Sequence, residues 1–264
     1  MFSLDQFFNT LSNLAPIEYS YEFIAKGDYD NSGILVRSTD CVNKVLFTLD
    51  LTEYAVKRAV RLGVDTIVTH HPAIYAPIKA LDVFSSDTGA ITKAIEKKIN
   101  VISMHLNLDV SNDGIDQSLA TALSGKNCKI IEYLNDKVGY GREFLINSQT
   151  LADYKKYIKT VLKTEKVVVY GKLKDTVQKV ASFCGAGSSS AIKAVKELKT
   201  DADTIVTSDV PHHVIKELIE NNKKIVIIPH YVAEEFGFNR YCEKVKKLVL
   251  DKAEIFYLDD KRFR

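Results

Sequence analysis

The pentapeptide Asp-Thr-Ile-Val-Thr occurs twice, at residues 65–69 and at 203–207. One five-residue match carries little, but its surroundings match in the same order. Val-Asn-Lys-Val at 42–45 stands ahead of the first copy as Val-Gln-Lys-Val at 177–180 stands ahead of the second. The stretch AVKRAVRLGVDTIVT (55–69) runs beside AIKAVKELKTDADTIVT (191–207), and INVISMHLNLD (99–109) beside KIVIIPHYVAE (224–234). Ordered self-similarity of this kind points to duplication of a unit about half the chain long.

Each unit reads as α/β. Short β-branched runs at Val45–Leu49, Thr66–Thr69, Asn100–Met104, Lys166–Tyr170, Thr204–Thr207 and Lys224–Ile228 alternate with helical stretches. The helices include Glu53–Leu62, Ala90–Lys98, Ser188–Leu198 and His213–Asn221. Strands alternating with helices favour parallel pairing. The expected division is an N-terminal half over 1–125 and a C-terminal half over 126–264, with the strand near Ala253–Leu258 as a candidate to return to the first. Two such halves would be related by an approximate twofold axis, and a cleft between them is a favoured place for a ligand or metal. Ser188, Ser189 and Ser190 follow the Gly-Ala-Gly turn 185–187 and are expected to cap a helix.

Composition narrows the function. Lys+Arg 36 against Asp+Glu 34 gives a net charge of +2, so bulk charge makes no case for nucleic acid or membrane as the main partner. Cys41, Cys128, Cys184 and Cys242 are widely spaced without a CxxC pair, which argues against a thiolate metal site. Phe2–Leu14 carries Asp5 and Gln6 and reads as an amphipathic helix rather than a secretory signal. No run approaches the roughly 18 apolar residues of a membrane span. The cytoplasm is the expected location.

All six histidines lie in or beside the matched segments. His70 and His71 follow one strand, His105 the next, and His230 the strand at 224–228. In parallel sheets, chemistry gathers at the carboxyl ends of strands. His105 is followed four residues later by Asp109, and His230 four residues later by Glu234. On a helix, positions four apart share a face, so His230 and Glu234 could meet one cation. The run from Leu106 to Gly114 looks like a loop. Neighbouring strand residues face opposite sides, so His70 and His71 reach one ion only if Pro72 ends the strand; otherwise each serves its own ion. That second arrangement favours a two-metal centre, with ions about 3.5–4 Å apart, which Asp109 or Glu234 could bridge.

A lone histidine at a strand end is more often a satisfied polar residue than a ligand. That bland reading is preferred for His212 and His213, at a helix start. His105 stands between a structural role and a role as ligand, supporting group or general base. Asp209 falls opposite His71 when the pentapeptides are superposed, and either caps the chain, marks the vestige of a second site or lines the cleft.

The motifs Tyr-Asp-Asn-Ser-Gly (29–33), Leu-Asp-Leu-Thr (49–52), Thr-His-His-Pro (69–72), His-Leu-Asn-Leu-Asp (105–109) and His-Tyr-Val-Ala-Glu (230–234) resemble those of the NGG-interacting-factor-three-like family. That family is also called the GTP cyclohydrolase I type 2 homologues. The resemblance spans nearly the whole chain. It implies a duplicated α/β fold in the compact form without an inserted domain. It also implies two divalent transition-metal ions (Zn, Mn, Fe, Ni or Co) held by His70, His71, Asp109, His230 and Glu234, in a homo-oligomer shaped as a hexameric ring. Tyr29 replaces the family's tryptophan, and Pro229 the glycine usual before the late histidine.

Three functions are open on this reading. The first is a metal-dependent hydrolase of cyclohydrolase or phosphoesterase type, acting on a small molecule or nucleotide, with His105 moving the proton. No GxxxxGK[ST] nucleotide loop is present. The second is a metal-containing ring scaffold for a protein or nucleic-acid partner, and the third is metal storage or delivery.

Overall fold

A computed structural model describes residues 2–86 and 88–264. In chain order it runs α1 (Leu4–Leu14), α2 (Glu18–Ala25), β1 (Gly33–Val36), β2 (Lys44–Thr48), α3 (Glu53–Leu62), β3 (Thr66–Thr69), α4 (Gly89–Glu96) and β4 (Asn100–Ser103). It continues through α5 (Leu106–Val110), α6 (Ile115–Ala122), β5 (Lys126–Tyr133), β6 (Gly139–Thr150), α7 (Leu151–Val161), β7 (Val168–Tyr170) and β8 (Thr176–Ser182). Then follow α8 (Ser188–Lys196), β9 (Thr204–Thr207), α9 (His212–Glu220), β10 (Lys224–Ile227), α10 (His230–Leu248), β11 (Glu254–Tyr257) and a 3₁₀ turn at Lys261–Phe263. The fold is mixed α/β with two sheets. The chain forms two compact units: residues up to Leu108 with Phe238–Asp260, and Asp109–Gly237 with Lys261–Arg264.

The first unit holds a five-stranded sheet in the order β1-β4-β3-β2-β11. The β11, β2, β3 and β4 strands are parallel, and β1 is antiparallel at the edge. Every residue of β3 and β4 is buried, as the interior of a sheet covered on both faces requires. On one face α3 and α4 lay Val56, Ala59, Ala90 and Ala94 over Leu46, Ile67 and Val101. Thr52 starts α3 by accepting the Ala55 N–H at 3.1 Å, and Gly63 ends it at φ 66°. The N-terminal helix α1 opens on a capping box: Ser3 Oγ accepts the Gln6 N–H at 3.2 Å, and Gln6 Oε1 accepts the Ser3 N–H at 3.0 Å. Leu4, Phe7 and Leu11 form its buried stripe. Ser3→Ala should therefore lose about 1 kcal/mol, read as a lower urea midpoint at unchanged slope; no shift would show that the cap is idle.

The second unit holds a six-stranded sheet in the order β5-β6-β8-β9-β10-β7. Its β8, β9 and β10 strands are parallel, while the pairs β5–β6, β6–β8 and β7–β10 are antiparallel. The helices α8 and α9 cover β8–β10 through Ala191, Ala194, Val195, Val214 and Leu218.

The aspartate that begins each copy of the pentapeptide has the same task in its own sheet. Asp65 Oδ2 accepts the N–H groups of Asn43 and Lys44 at 2.9 and 3.3 Å. Asp203 Oδ2 accepts those of Gln178 and Lys179 at 3.1 and 2.9 Å. Each carboxylate ties the start of the neighbouring strand to its own.

Two local expectations are corrected. The segment after His105 is a short helix, not a loop: the Leu108 N–H donates to His105 O at 2.8 Å, Asn107 Nδ2 donates to Ala15 O at 2.8 Å, and Leu108 and Val110 are buried. Burial of these side chains overrides the weak helix propensity of the Asn- and Asp-rich run. The three serines do not cap α8. Its N-cap is Gly187, without a side-chain cap bond, and Ser188 Oγ donates to Asp209 O at 3.0 Å instead. Among the described residues, no helix is long and apolar enough to cross a membrane.

Candidate metal centre

In the first unit, the strand β3 delivers His70 and His71. Both of their N–H groups donate to the same carbonyl, Leu49 O, at 3.1 and 3.0 Å. Sharing one acceptor breaks the alternation of the strand, and Pro72 follows at once. The two rings therefore lie with centroids 5.0 Å apart instead of facing opposite sides. The His105 ring, just past β4, lies 5.3 Å from His70 and 5.9 Å from His71. Three imidazoles are thus gathered at the carboxyl ends of β3 and β4.

Each of these rings is oriented through Nδ1. His70, fully buried, donates to Met104 O at 2.8 Å. His71 bonds Asp50 Oδ1 at 2.8 Å, and His105 bonds Asp30 Oδ1 at 2.8 Å. Asp30 is itself held: Ser20 Oγ and Ser32 Oγ donate to its Oδ2 at 2.5 and 2.7 Å. Burial pushes the Asp30 carboxyl up, but the bond and charge of His105 and the two serine hydroxyls outweigh it, so its pKa lies below the ordinary value.

The second unit holds a cluster of its own, rich in oxygen donors. Asp109 on α5 and Glu234 in the first turns of α10 are both buried. His230 begins α10, and its Nε2 lies 3.0 Å from Glu234 Oε1, four residues on. The His230 Nδ1 bonds Asp209 Oδ2 at 2.5 Å, repeating the orientation seen in the first unit. Asp209 sits at φ 50°, a left-handed conformation that aspartate tolerates better than most residues. Pro229 is accommodated because its carbonyl accepts the Val232 and Ala233 N–H groups at 3.0 Å, while a helix start needs no N–H from it.

The turn at Cys184–Gly187 packs against these acids. Cys184 Sγ points at Asp109 Oδ1, 3.7 Å away, and the Cys184 N–H donates to Asp116 Oδ1 at 3.3 Å. Gly185 has φ 55°, and a Cβ there would come within 2.4 Å of Glu234 Oε1. Asp116 is fully buried and pairs with buried Arg142 at 2.9 Å. Burial pushes its carboxyl up to about 6, with Arg142 pulling down and Asp109 adding to the rise. The Cys184 thiol is pushed well above its ordinary range by burial and then by Asp109, Asp116 and Glu234. Three buried carboxyl groups thus surround a region of this unit in which Arg142 is the buried guanidinium.

Among the described residues, His70, His71 and Glu234 form one group that could hold a metal ion, and His70, His105 and Asp109 another. His105, to which sequence spacing gave several roles, is among them. His212 and His213 lie exposed at the start of α9 and belong to no such group. The sequence reading gave no role to Asp30 and Asp50, though both lie inside quoted motifs. Each is an aspartate next to a strand whose neighbour ends in histidine, which is the signal that could have found them.

The sequence model of the Duf34/NIF3 (NGG1p interacting factor 3) family matches residues 3–262. A Clostridium perfringens protein named GTP cyclohydrolase 1 type 2 homolog is 27% identical over 248 residues, covering 92% of this chain and 91% of the relative. A Saccharomyces cerevisiae protein named NGG1-interacting factor 3 is 27% identical over 262 residues, covering 89% of this chain and 87% of the relative. The crystal structure of a Bacillus cereus protein related to NIF3 superposes with a TM-score of 0.86 at 20% identity, over 99% of this chain and 98% of that one. That likeness establishes the mixed α/β fold with two sheets.

Proposed function

The chain belongs to the Duf34/NIF3 family, and from that premise we propose that it is a metal-dependent hydrolase built on a duplicated α/β unit, with two divalent transition-metal ions held by His70, His71, Asp109, His230 and Glu234. The observation that carries the proposal is the common state of four histidines. Each has Nδ1 committed to a fixed oxygen: Met104 O, Asp50, Asp30 and Asp209. Metal-binding imidazoles are oriented in this way, the anchored nitrogen fixing which lone pair is offered. Histidines kept for packing have no reason to share it.

Two further observations support the reading. Imidazole nitrogen and carboxylate oxygen without thiolate suit Zn, Mn, Fe, Ni or Co. Buried carboxylates are costly unless a cation accompanies them, and Asp109 and Glu234 are buried. The duplication is supported by the matched tasks of Asp65 and Asp203, which hold Asn43–Lys44 and Gln178–Lys179 alike. Bound ions of this kind supply Lewis acidity and activate water for hydrolysis. The chain's own part is to orient the donors, with His105 placed to accept a proton. The name of the Clostridium perfringens relative favours a nucleotide or other small-molecule substrate. We further propose a homohexameric ring in the cytoplasm.

Elemental analysis of protein purified without added metal tests this. About two transition ions per chain are expected, with near-complete loss in the His70→Ala/Glu234→Ala double variant. A metal-loaded wild type that hydrolyses nothing in a panel of nucleotides, phosphoesters and amides would sink the hydrolase reading. The name of the yeast relative favours the alternative, a metal-containing scaffold for a partner. That alternative predicts metal without turnover.

A further inference from the structure

His105 is held differently from the other anchored histidines. Its N–H donates to Ser32 Oγ at 3.0 Å, Ser32 Oγ donates to Asp30 Oδ2 at 2.7 Å, and Asp30 Oδ1 takes the His105 ring at 2.8 Å. Main chain and ring of one residue are thus closed into a single cycle through Ser32 and Asp30. Ser20, from α2, donates to the same Asp30 oxygen as Ser32 at 2.5 Å. The Asp30 side chain is 0% exposed, against 36% for Asp50 and 54% for Asp209. Water can compete for His71 and His230 through their partners, but not for His105.

We infer that Asp30 is a positioning residue that fixes His105 as an electron-pair donor: it keeps the ring proton on Nδ1 and leaves Nε2 bare toward His70 and His71. The inference rests on reading His105 as part of the metal-binding cluster, and it deepens that reading by fixing which ring nitrogen is left for the cluster. The argument is geometric. A carboxylate that already accepts two hydroxyl protons can only accept from the ring, so the Nδ1–H form is imposed. The serine hydroxyls remove the rotational freedom that would let Asp30 turn away. The ring is then aimed before any ion arrives, which is how a supporting acid raises affinity.

The test uses the full chain, first metal-free and then titrated with zinc. Nitrogen-15 NMR of the histidine rings reads which His105 nitrogen carries the proton. The wild type should show Nδ1–H with an unprotonated Nε2. In Asp30→Asn, that single form should give way to a mixture or to Nε2–H, and zinc affinity should fall roughly 10- to 100-fold. Ser32→Ala should move both readouts in the same direction by less, and Ser32→Thr, which keeps the hydroxyl, should restore them. If Asp30→Asn does not fold, Ser20→Ala and Ser32→Ala carry the same two readouts.

An Nε2–H form in the wild type overturns the inference. So does a folded Asp30→Asn protein with unchanged tautomer and zinc affinity. The two readings fail separately. A wild type that binds no zinc but whose tautomer responds to Asp30→Asn keeps the positioning role and sinks the metal centre. Intact zinc binding with no response to Asp30→Asn does the reverse.

Discussion

Arg142→Met should cost about 3–5 kcal/mol, because it leaves the buried Asp116 carboxylate without its partner. Arg142 does more than neutralise. Its Nη1 donates to Asp116 Oδ2, Gly139 O and Gly141 O at 2.9, 2.8 and 3.1 Å, and its Nε to Gln117 Oε1 at 3.1 Å. One guanidinium therefore ties α6 to the start of β6. With roughly 2–4 °C per kcal/mol for a chain of this size, thermal unfolding followed by circular dichroism should shift down by about 6–20 °C. Removing both partners, as Arg142→Met with Asp116→Leu, should recover much of the loss.

The pH dependence has a defined sign. Burial, opposed by Arg142, pushes Asp116 up to about 6 from 3.8. Between those values the folded chain holds a proton that the unfolded chain has released, so this group favours folding as pH falls through about 6 and opposes it above. Without Arg142 the carboxyl rises further. The deficit of Arg142→Met should therefore be smaller at pH 5 than at pH 8. An equal deficit at both would mean that the packing of the guanidinium, not its charge, is what matters.

Gly185→Ala should abolish tight metal binding while leaving most of the fold. Two constraints meet at this residue. Its φ of 55° costs a residue with a side chain about 1 kcal/mol, and the added methyl would lie 2.4 Å from Glu234 Oε1 and 3.5 Å from His230 Nε2. Contact at 2.4 Å cannot be absorbed in place. Glu234 must swing, which breaks its 3.0 Å contact with His230 Nε2. Zinc titration should show affinity reduced by at least roughly 100-fold, beyond the 10- to 100-fold expected for loss of a supporting partner. Thermal stability of the metal-free protein should fall only modestly. Wild-type affinity in this variant would mean that Glu234 is not a ligand.

Much of the frame was legible from the chain alone. The β-branched tetrapeptide Thr66–Thr69, its copy Thr204–Thr207 and the helix Glu53–Leu62 fall where the alternation of β-branched runs and helical stretches puts them. The antiparallel pair β5–β6 was not legible. No strand is read from the sequence over residues 139–150, and they become one through partners far away in sequence, such as the Arg142↔Ser182 register. Gly139 belongs there because a Cβ would strike Glu132 O at 2.1 Å, a crowding that sequence cannot display.

Within the candidate centre, the histidines announce themselves by their place after strands. Their supporting aspartates do not. Asp30 is 75 residues from His105, and no local spacing relates them. Asp209 was noticed only because the repeat set it opposite His71.

The shared acceptor at Leu49 has a consequence for how such a centre withstands sequence drift. His70 is aimed by Leu49 O and Met104 O, and His71 by Leu49 O as well as by Asp50. Three of these four restraints are carbonyl groups, which every amino acid possesses. The side chains at 49 and 104 are free to change to any residue that fills the same core volume, and the aim of His70 passes through such changes untouched. Relatives only about a quarter identical to this chain can therefore keep the geometry of the histidine pair, because its specification is written largely in main chain.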